Sequence, residues 1–236
     1  MSTIYMIRHG QASFGEEDYD VLSRRGYQQS RILAEYLHSI GVRFDLAVTG
    51  TLKRQMATAD TLFDIYREKG DPVVEVHMME EFNEYNSRDI LTAIIPVLLE
   101  ENPSLDEDVK QIYTHRKSFQ RVFEATMLKW VSGDCDHLYI PRYLDFVTGV
   151  YRGLDKIMKE NGRGKTIAIF TSGGPIAATV QRALNLGYQD TMRVTWQIAN
   201  SSVSRFKCTR EYIMMSGFNS CAHLENQPDE TLLTYR

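Results

Sequence analysis

The sequence predicts an α/β fold: a mostly parallel central sheet flanked by helices on both faces, with a helical insertion. Three observations carry that expectation. Short apolar runs alternate with helical spacing from Thr3 to Val76, the rhythm of βαβ units. Helical spacing with no obvious strand then fills Asn86 to His137. A strand, a small-residue turn and a helix follow in Ile167-Ala-Ile-Phe-Thr-Ser-Gly-Gly-Pro-Ile-Ala-Ala-Thr-Val180. The 236 residues fit one domain, 1–236, that includes an insertion at about 86–138.

The elements can be justified in order. Thr3–Ile7 is a short apolar run that stops at Arg8-His9-Gly10, so it reads as a first strand. Gly26–Ile40 places Tyr27, Ile32, Leu33, Tyr36, Leu37 and Ile40 at helical spacing, and Gly41 supplies a C-terminal stop. Leu46–Val48 is a second strand. Leu52–Tyr66 is a second helix, with Leu52, Met56, Ala59, Leu62, Phe63 and Tyr66 on one side. Val73–Val76 is a third strand. In the insertion, Ile90, Leu91, Ile94, Ile95, Leu98 and Leu99 make one apolar face. Ile112, Phe119, Val122, Phe123, Met127 and Trp130 make another, beyond Asn102-Pro103-Ser104. A helix over about Arg142–Glu160 turns Phe146, Val150, Leu154 and Ile157 inward and closes at Asn161-Gly162. The tail reads as strands at Thr195–Ile198, Ser202–Cys208 and Tyr212–Phe218, the last two a hairpin.

Bulk properties narrow the function. The chain is 43% hydrophobic and 25% charged, with a mean hydropathy of −0.34, and can bury an ordinary core. No apolar run approaches the roughly 18 residues of a membrane span, and the N-terminus lacks the apolar stretch of a signal peptide. A net charge of −4 gives no basic field for nucleic acid. Cys135, Cys208 and Cys221 are odd in number and form no CxxC pair, which points to a reduced, cytoplasmic protein without disulfides or a zinc site. Gly162-Arg-Gly-Lys-Thr166 resembles the end of a phosphate-binding P-loop. The full pattern needs Gly where Lys159 stands, and this stretch precedes a strand, so it reads as a solvated turn.

In an open parallel sheet, ligands sit at the carboxyl ends of the strands. Arg8 and His9 follow the first strand, and Thr49-Gly-Thr-Leu-Lys-Arg54 follows the second. Glu80, Glu81 and Glu84 follow the third, and Thr171-Ser172-Gly173-Gly174 the fourth. Two arginines, a histidine, an acidic cluster and a glycine turn on one sheet edge describe a dianion pocket. Guanidinium forks bind phosphoryl oxygens bidentately, and backbone N–H groups at a helix start assist.

With these residues on the page, the sequence resembles the histidine phosphatase superfamily, the group that includes cofactor-dependent phosphoglycerate mutase. That family places Arg-His-Gly after its first strand, and Ile7-Arg8-His9-Gly10 stands here. Leu22-Ser-Arg-Arg-Gly-Tyr-Gln-Gln29-Ser30 resembles Leu-Thr-x-x-Gly-x-x-Gln-Ala. Gly50-Thr-Leu52-Lys-Arg54-Gln-Met-Ala-Thr58-Ala59 resembles Ser-x-Leu-x-Arg-x-x-x-Thr-Ala, and Phe82-Asn-Glu84 resembles the mutases' Leu-Asn-Glu. Ala199-Asn-Ser-Ser-Val-Ser and Asn219-Ser-Cys-Ala-His223-Leu224 resemble the closing elements. The resemblance implies a phosphoglycerate mutase-like fold. It implies His9 as nucleophile, Arg8 and Arg54 as the clamp on the phosphoryl group, and Glu84 as general acid and then base, with Glu81 and Glu80 as other candidates for that acid. It implies no metal and no cofactor. His38, His77, His115, His137 and His223 read as structural or surface residues, with His115 and His137 placed to line the pocket mouth.

One position departs from the pattern. The family's fourth strand leads into Ser-His-Gly-Gly, whereas Phe170-Thr171-Ser172-Gly173-Gly174 puts Ser172 where the second histidine stands. The expected phosphate ligands are therefore Arg8, Arg54, Ser172 and Gly173. The expected activity is phosphomonoester hydrolysis through a phosphohistidine on His9. The alternatives are a phosphate-ester-binding regulatory protein or pseudo-enzyme of weak activity, and then a mutase. The expected partner is a small phosphorylated substrate or inorganic phosphate, with neither nucleic acid nor membrane.

Overall fold

The computed structural model describes residues 1–13, 19–161 and 163–235. A six-stranded sheet runs through it in the order β3-β2-β4-β1-β5-β6. Its strands are β1 (Ser2–Arg8), β2 (Leu46–Thr49), β3 (Val76–Met78), β4 (Thr166–Thr171), β5 (Val203–Cys208) and β6 (Ile213–Ser220). The first four pair in parallel, and β5 and β6 close one edge antiparallel. This is the expected α/β architecture. The strand expected at Val73–Val76 is a three-residue pairing that starts at Val76, set by the register Ala47–Val76 to Thr49–Met78.

Alternation along the buried strands separates two cores, as the pleat requires. Ile4, Met6, Val48, Ile167 and Ile169 face one side, and Ile7, Ala47, Ala168 and Phe170 face the other. The second side is covered by α1 (Arg24–Ser39) and α2 (Lys53–Glu68), which pack on each other and bury Leu33, Leu37, Leu62, Phe63 and Tyr66. The ends of the expected α1 stripe, Tyr27 and Ile40, are exposed. Ser23 caps α1 by accepting the Gly26 N–H, and Gly41 takes the left-handed conformation (φ 73°) just past its end.

The first side is covered by α6 (Tyr143–Glu160) and α7 (Gly173–Leu184). Between β3 and α6 the chain is helical, as expected: α3 (Ser87–Glu101), the short α4 (Asp106–Lys110) and α5 (Arg116–Ser132). On α3 only Ile90 and Ile94 are fully buried. On α5, Val122, Met127 and Trp130 are. An aromatic cluster joins this segment to the sheet side. Trp130 packs 4.9 Å from Tyr85 and 5.1 Å from Tyr143, and Tyr85 meets Phe146 edge-on at 5.4 Å.

The tail differs from expectation in one element. Thr195–Ile198 is not a strand; it ends α8 (Tyr188–Thr195) and turns back toward the sheet. Its alternating pattern covers only four residues, too few to distinguish a strand from a helix end. The following Asn200-Ser201-Ser202 crosses beneath the end of β1, and α9 (Ala222–Glu225) packs against α1. Gly162 of the expected helix stop lies outside the described residues.

Candidate active site

The site is assembled where β1, β2 and β4 end. The chain leaves β1 at Arg8 and must turn sharply. The His9 N–H donates to the Thr171 carbonyl of β4 (2.9 Å), so His9 sits alongside the end of the neighbouring strand. The turn continues through Gly10, pressed against Gly26 of α1. A Cβ on Gly10 would stand 2.3 Å from the Gly26 carbonyl oxygen, and one on Gly26 2.1 Å from that of Gln11. Both glycines are thus required by close backbone approach, not by unusual dihedral angles. The Gly10 N–H donates to Thr58 Oγ1 (3.1 Å), whose own hydroxyl donates to the Arg54 carbonyl. The His9 carbonyl accepts from the Ser201 N–H (3.2 Å) and from Asn200 Nδ2 (3.3 Å).

Two hydrogen bonds fix the His9 ring. Nδ1 lies 2.7 Å from the Gly10 carbonyl, and Nε2 lies 3.1 Å from Arg54 Nε. A carbonyl can only accept and a guanidinium N–H can only donate, so the proton resides on Nδ1 and Nε2 keeps its lone pair. Burial, together with the nearby charges of Arg54 and Arg8, holds the His9 pKa well below its ordinary value. The imidazole is neutral at physiological pH.

Arg54 comes from the first turn of α2 and is buried. Its Nη1 donates to Asp20 Oδ1 at 2.5 Å, and Asp20 also accepts the Lys53 N–H. Arg8 donates from Nη1 to the Ile198 carbonyl. Its Nε is buried and meets no acceptor among the described residues. Burial pushes the Arg8 pKa down, and the Glu84 carboxylate pulls it back up. A guanidinium stays charged regardless.

The three expected acids separate cleanly. Glu80 is exposed, and Glu81 turns toward Arg152 of α6 (3.5 Å). Glu84 alone reaches the start of α7, where Oε2 accepts the Gly174 N–H (3.0 Å) and Oε1 the Tyr85 N–H (3.2 Å). Burial raises the Glu84 pKa above the ordinary carboxylate value, outweighing those two N–H bonds and the positive charges of Arg54 and Arg8. Gly174 leaves room for that carboxyl group: a Cβ there would stand 2.1 Å from Glu84 Oε1 and 3.0 Å from both Phe146 and Tyr85.

Ser172 stands at the N-cap position of α7, without a side-chain capping bond, and is buried. Its Oγ accepts from Gln55 Nε2 at 2.8 Å. Gly173 is the first residue of α7, and a Cβ there would meet nothing closer than 3.4 Å. Gly173 was expected as a backbone phosphate ligand, and its N–H stands at the first position of α7. The Gly174 N–H, by contrast, is already given to the acid.

The remaining histidines stand apart. His115 pairs with Ser118 (2.9 Å) at the start of α5, and His137 is exposed. His38 pairs with Asp71 (3.0 Å) on the far side of α1, and His77 is exposed on β3. His223 is buried against Ser201 (2.9 Å), and burial lowers its pKa to about 4. Sequence reasoning missed Asp20, Gln55 and Asn83. Asn83 Oδ1 accepts the Thr51 N–H (2.6 Å) and ties the Glu84 loop to the start of α2. Gln55 and Asn83 adjoin Arg54 and Glu84 in sequence, whereas Asp20 lies 34 residues from the Arg54 it meets, and only the folded loops show what each touches.

Fold and site together define an α/β protein with a neutral histidine set between two arginines at the carboxyl edge of a mostly parallel sheet. The pattern of the histidine phosphatase superfamily (branch 1) matches residues 4–90, which carry His9, both arginines and Glu84. The chain is similar to that superfamily over this part of its length. It is 26% identical over 212 residues to a 2,3-bisphosphoglycerate-dependent phosphoglycerate mutase from Rhizobium etli, covering 87% of this chain and 91% of the relative. Its fold is that of a phosphoserine phosphatase from Entamoeba histolytica, solved as a mutant with phosphoserine. There the TM-score is 0.64 at 20% identity, over 95% of this chain and 100% of the other. A mycobacterial glucosyl-3-phosphoglycerate phosphatase with inorganic phosphate superposes with a TM-score of 0.61 at 18% identity, over 94% and 98% of the two chains. Among the described residues no helix is long and apolar enough to cross a membrane.

Proposed function

We propose that this protein is a metal-independent phosphatase that hydrolyses a small phosphomonoester through a phosphohistidine on His9. The observation that carries the proposal is the state of the His9 ring: neutral, with its proton held by Gly10 and its Nε2 lone pair turned toward Arg54. A neutral imidazole so oriented is a nucleophile. In the first step Nε2 bonds to phosphorus, and the phosphorus–oxygen bond to the leaving group breaks. The leaving oxygen takes the proton of Glu84, whose raised pKa keeps it on hand. In the second step Glu84, now a carboxylate, takes a proton from water as that water attacks phosphorus, and inorganic phosphate leaves with its bond to Nε2 broken.

Arg8 and Arg54 hold the phosphoryl oxygens while charge redistributes. The buried Arg8 Nε, without an acceptor among the described residues, is a donor in want of an anion. The Arg54 N–H that caps Nε2 transfers to a phosphoryl oxygen as the substrate enters. The Ser172 hydroxyl occupies the place that the family gives to an imidazole. In this reading residues 1–236 act as one domain, the helical segment at about 86–138 walls the pocket, and three buried free thiols suit a reducing cytoplasm.

The measurement is release of inorganic phosphate from an aryl phosphate by protein freed of metal with a chelator. Turnover that His9→Ala abolishes, with an acid-labile phosphate trapped on His9, is the expected result. Ser172 favours a second reading, a phosphate-ester-binding protein without turnover. Tight phosphate binding with no product and no phosphohistidine would establish it. The relative from Rhizobium etli is named as a mutase, so 3-phosphoglycerate is assayed for phosphoryl migration as well as loss.

A further inference from the structure

We infer that Gln55 is a positioning residue that fixes the Ser172 hydroxyl as a one-way hydrogen-bond donor to the phosphoryl group. The inference rests on the phosphate pocket proposed above and names the device that works it in place of an imidazole.

The argument is a count of donors and acceptors. Gln55 is fully buried on α2, one residue after Arg54. Its Nε2 lies 3.0 Å from the Phe82 carbonyl, which can only accept, so the NH2 end of the amide is identified without ambiguity. The other hydrogen of that NH2 goes to Ser172 Oγ at 2.8 Å. Gln55 Oε1 faces the other way and takes the Leu52 N–H (3.4 Å). Ser172 Oγ is therefore an acceptor in this contact, and its own hydrogen must point elsewhere. It cannot go to Phe82, whose carbonyl already accepts from Gln55 and from Thr171 Oγ1 at 2.6 Å. Among the described residues no other protein atom takes it. Ser172 stands one residue beyond the Thr171 carbonyl that receives the His9 N–H, so the free hydrogen is delivered at the strand end that holds His9.

Gly50 completes the device. A Cβ at position 50 would stand 2.0 Å from Gln55 Oε1 and 2.6 Å from Asn83 Oδ1. Glycine there lets the amide fold back far enough to reach both Phe82 and Ser172. One buried side chain thus joins the loop after β2, the loop carrying Glu84 and the start of α7. A donor whose direction is set before the substrate arrives needs no reorganisation at the moment of reaction.

The test is a double-mutant cycle on Gln55→Ala and Ser172→Ala. It is read in kcat with p-nitrophenyl phosphate and, independently of turnover, in the Kd of inorganic phosphate. Ser172→Ala should cost roughly 10²-fold in kcat, and Gln55→Ala at least about tenfold on the same scale. In the Ser172→Ala background, Gln55→Ala should then change kcat and Kd by less than about twofold. A merely structural glutamine would keep its full effect in that background. If Gln55→Ala does not fold, Gly50→Ala carries the same cycle, because it displaces the same amide. Losses that multiply, or a Gln55→Ala as active as the wild type, overturn the inference while leaving the phosphatase intact. Coupled losses in phosphate Kd without any turnover support the hydroxyl and sink the phosphatase. A wild type that binds no phosphate sinks both.

Discussion

Replacing Gly174 by alanine puts one methyl group against the proposed acid and little else. The new Cβ would lie 2.1 Å from Glu84 Oε1, against 3.0 Å from the nearest atoms of Phe146 and Tyr85. The two rings need give only a few tenths of an ångström, but the carboxyl group must retreat by about 1 Å to reach ordinary contact. Its Oε2 then loses the Gly174 N–H. Alanine itself is favourable in a helix by up to about 1 kcal/mol over glycine, so net stability should fall by no more than about 1–2 kcal/mol. Catalysis should respond differently. Misplacing a proton donor by about 1 Å costs about 10²-fold, but only where the leaving oxygen needs the proton. Glycerol phosphate has a poor alkoxide leaving group, and p-nitrophenyl phosphate has a stable phenolate. Gly174→Ala should therefore reduce kcat/KM for the alkyl ester about 10²-fold and for the aryl ester less than about tenfold. Steady-state kinetics on both esters, beside a thermal melt, decide it. An equal loss on both esters would refute the assignment of Glu84 as the proton donor, as would no loss on either.

Three other perturbations follow from the same geometry. Gly10→Ala drives a Cβ to 2.3 Å from a backbone oxygen of α1, which no side-chain rotation relieves. A loss of about 3 kcal/mol or more, measured by urea denaturation, is expected. Arg54→Lys keeps a positive charge but loses the Nε–H that meets His9 Nε2 and the planar fork. It should cost roughly 10²-fold in kcat with an unchanged circular dichroism spectrum. His223 has a folded pKa of about 4, lowered by burial. Its neutral form therefore favours the fold fully above the unfolded value of about 6.5, and that contribution is lost as pH falls through the interval to 4. Near pH 4 the loss is about 3 kcal/mol, and His223→Asn should lessen the difference between denaturation midpoints at pH 7 and pH 4.

The fold was legible to the extent that its elements are long and periodic. β1, β4 and the helices over residues 24–39, 53–68 and 143–160 bury the apolar stripes that define them. The misread elements are short. β3 and the end of α8 involve three or four residues, and which partner they meet decides their form. The candidate site was legible as a set of residues after strands, because a parallel sheet gathers its strand ends on one edge. His9 meets Arg54 there, and Ser172 meets Gln55, the next residue along α2. The preference for Glu84 over Glu81 and Glu80 rested on the motif resemblance, and no local pattern separates the three. All three are glutamates within five positions, and a single 3-10 turn (Glu80–Phe82) aims them in different directions.

By itself, then, the sequence determined the layered α/β architecture, the strand-end position of the two arginines and the histidine, and the serine at position 172. Those features depend on local periodicity and chain order. Only the tertiary structure decided which nitrogen of His9 is free, which glutamate reaches α7, and where the hydrogen of Ser172 must go. These depend on contacts between Arg54 and His9, Glu84 and Gly174, and Gln55 and Ser172, which are 45, 90 and 117 residues apart along the chain. A hydrogen bond is set by a few tenths of an ångström and by the supply of donors and acceptors around it. That supply exists only once distant segments have packed together.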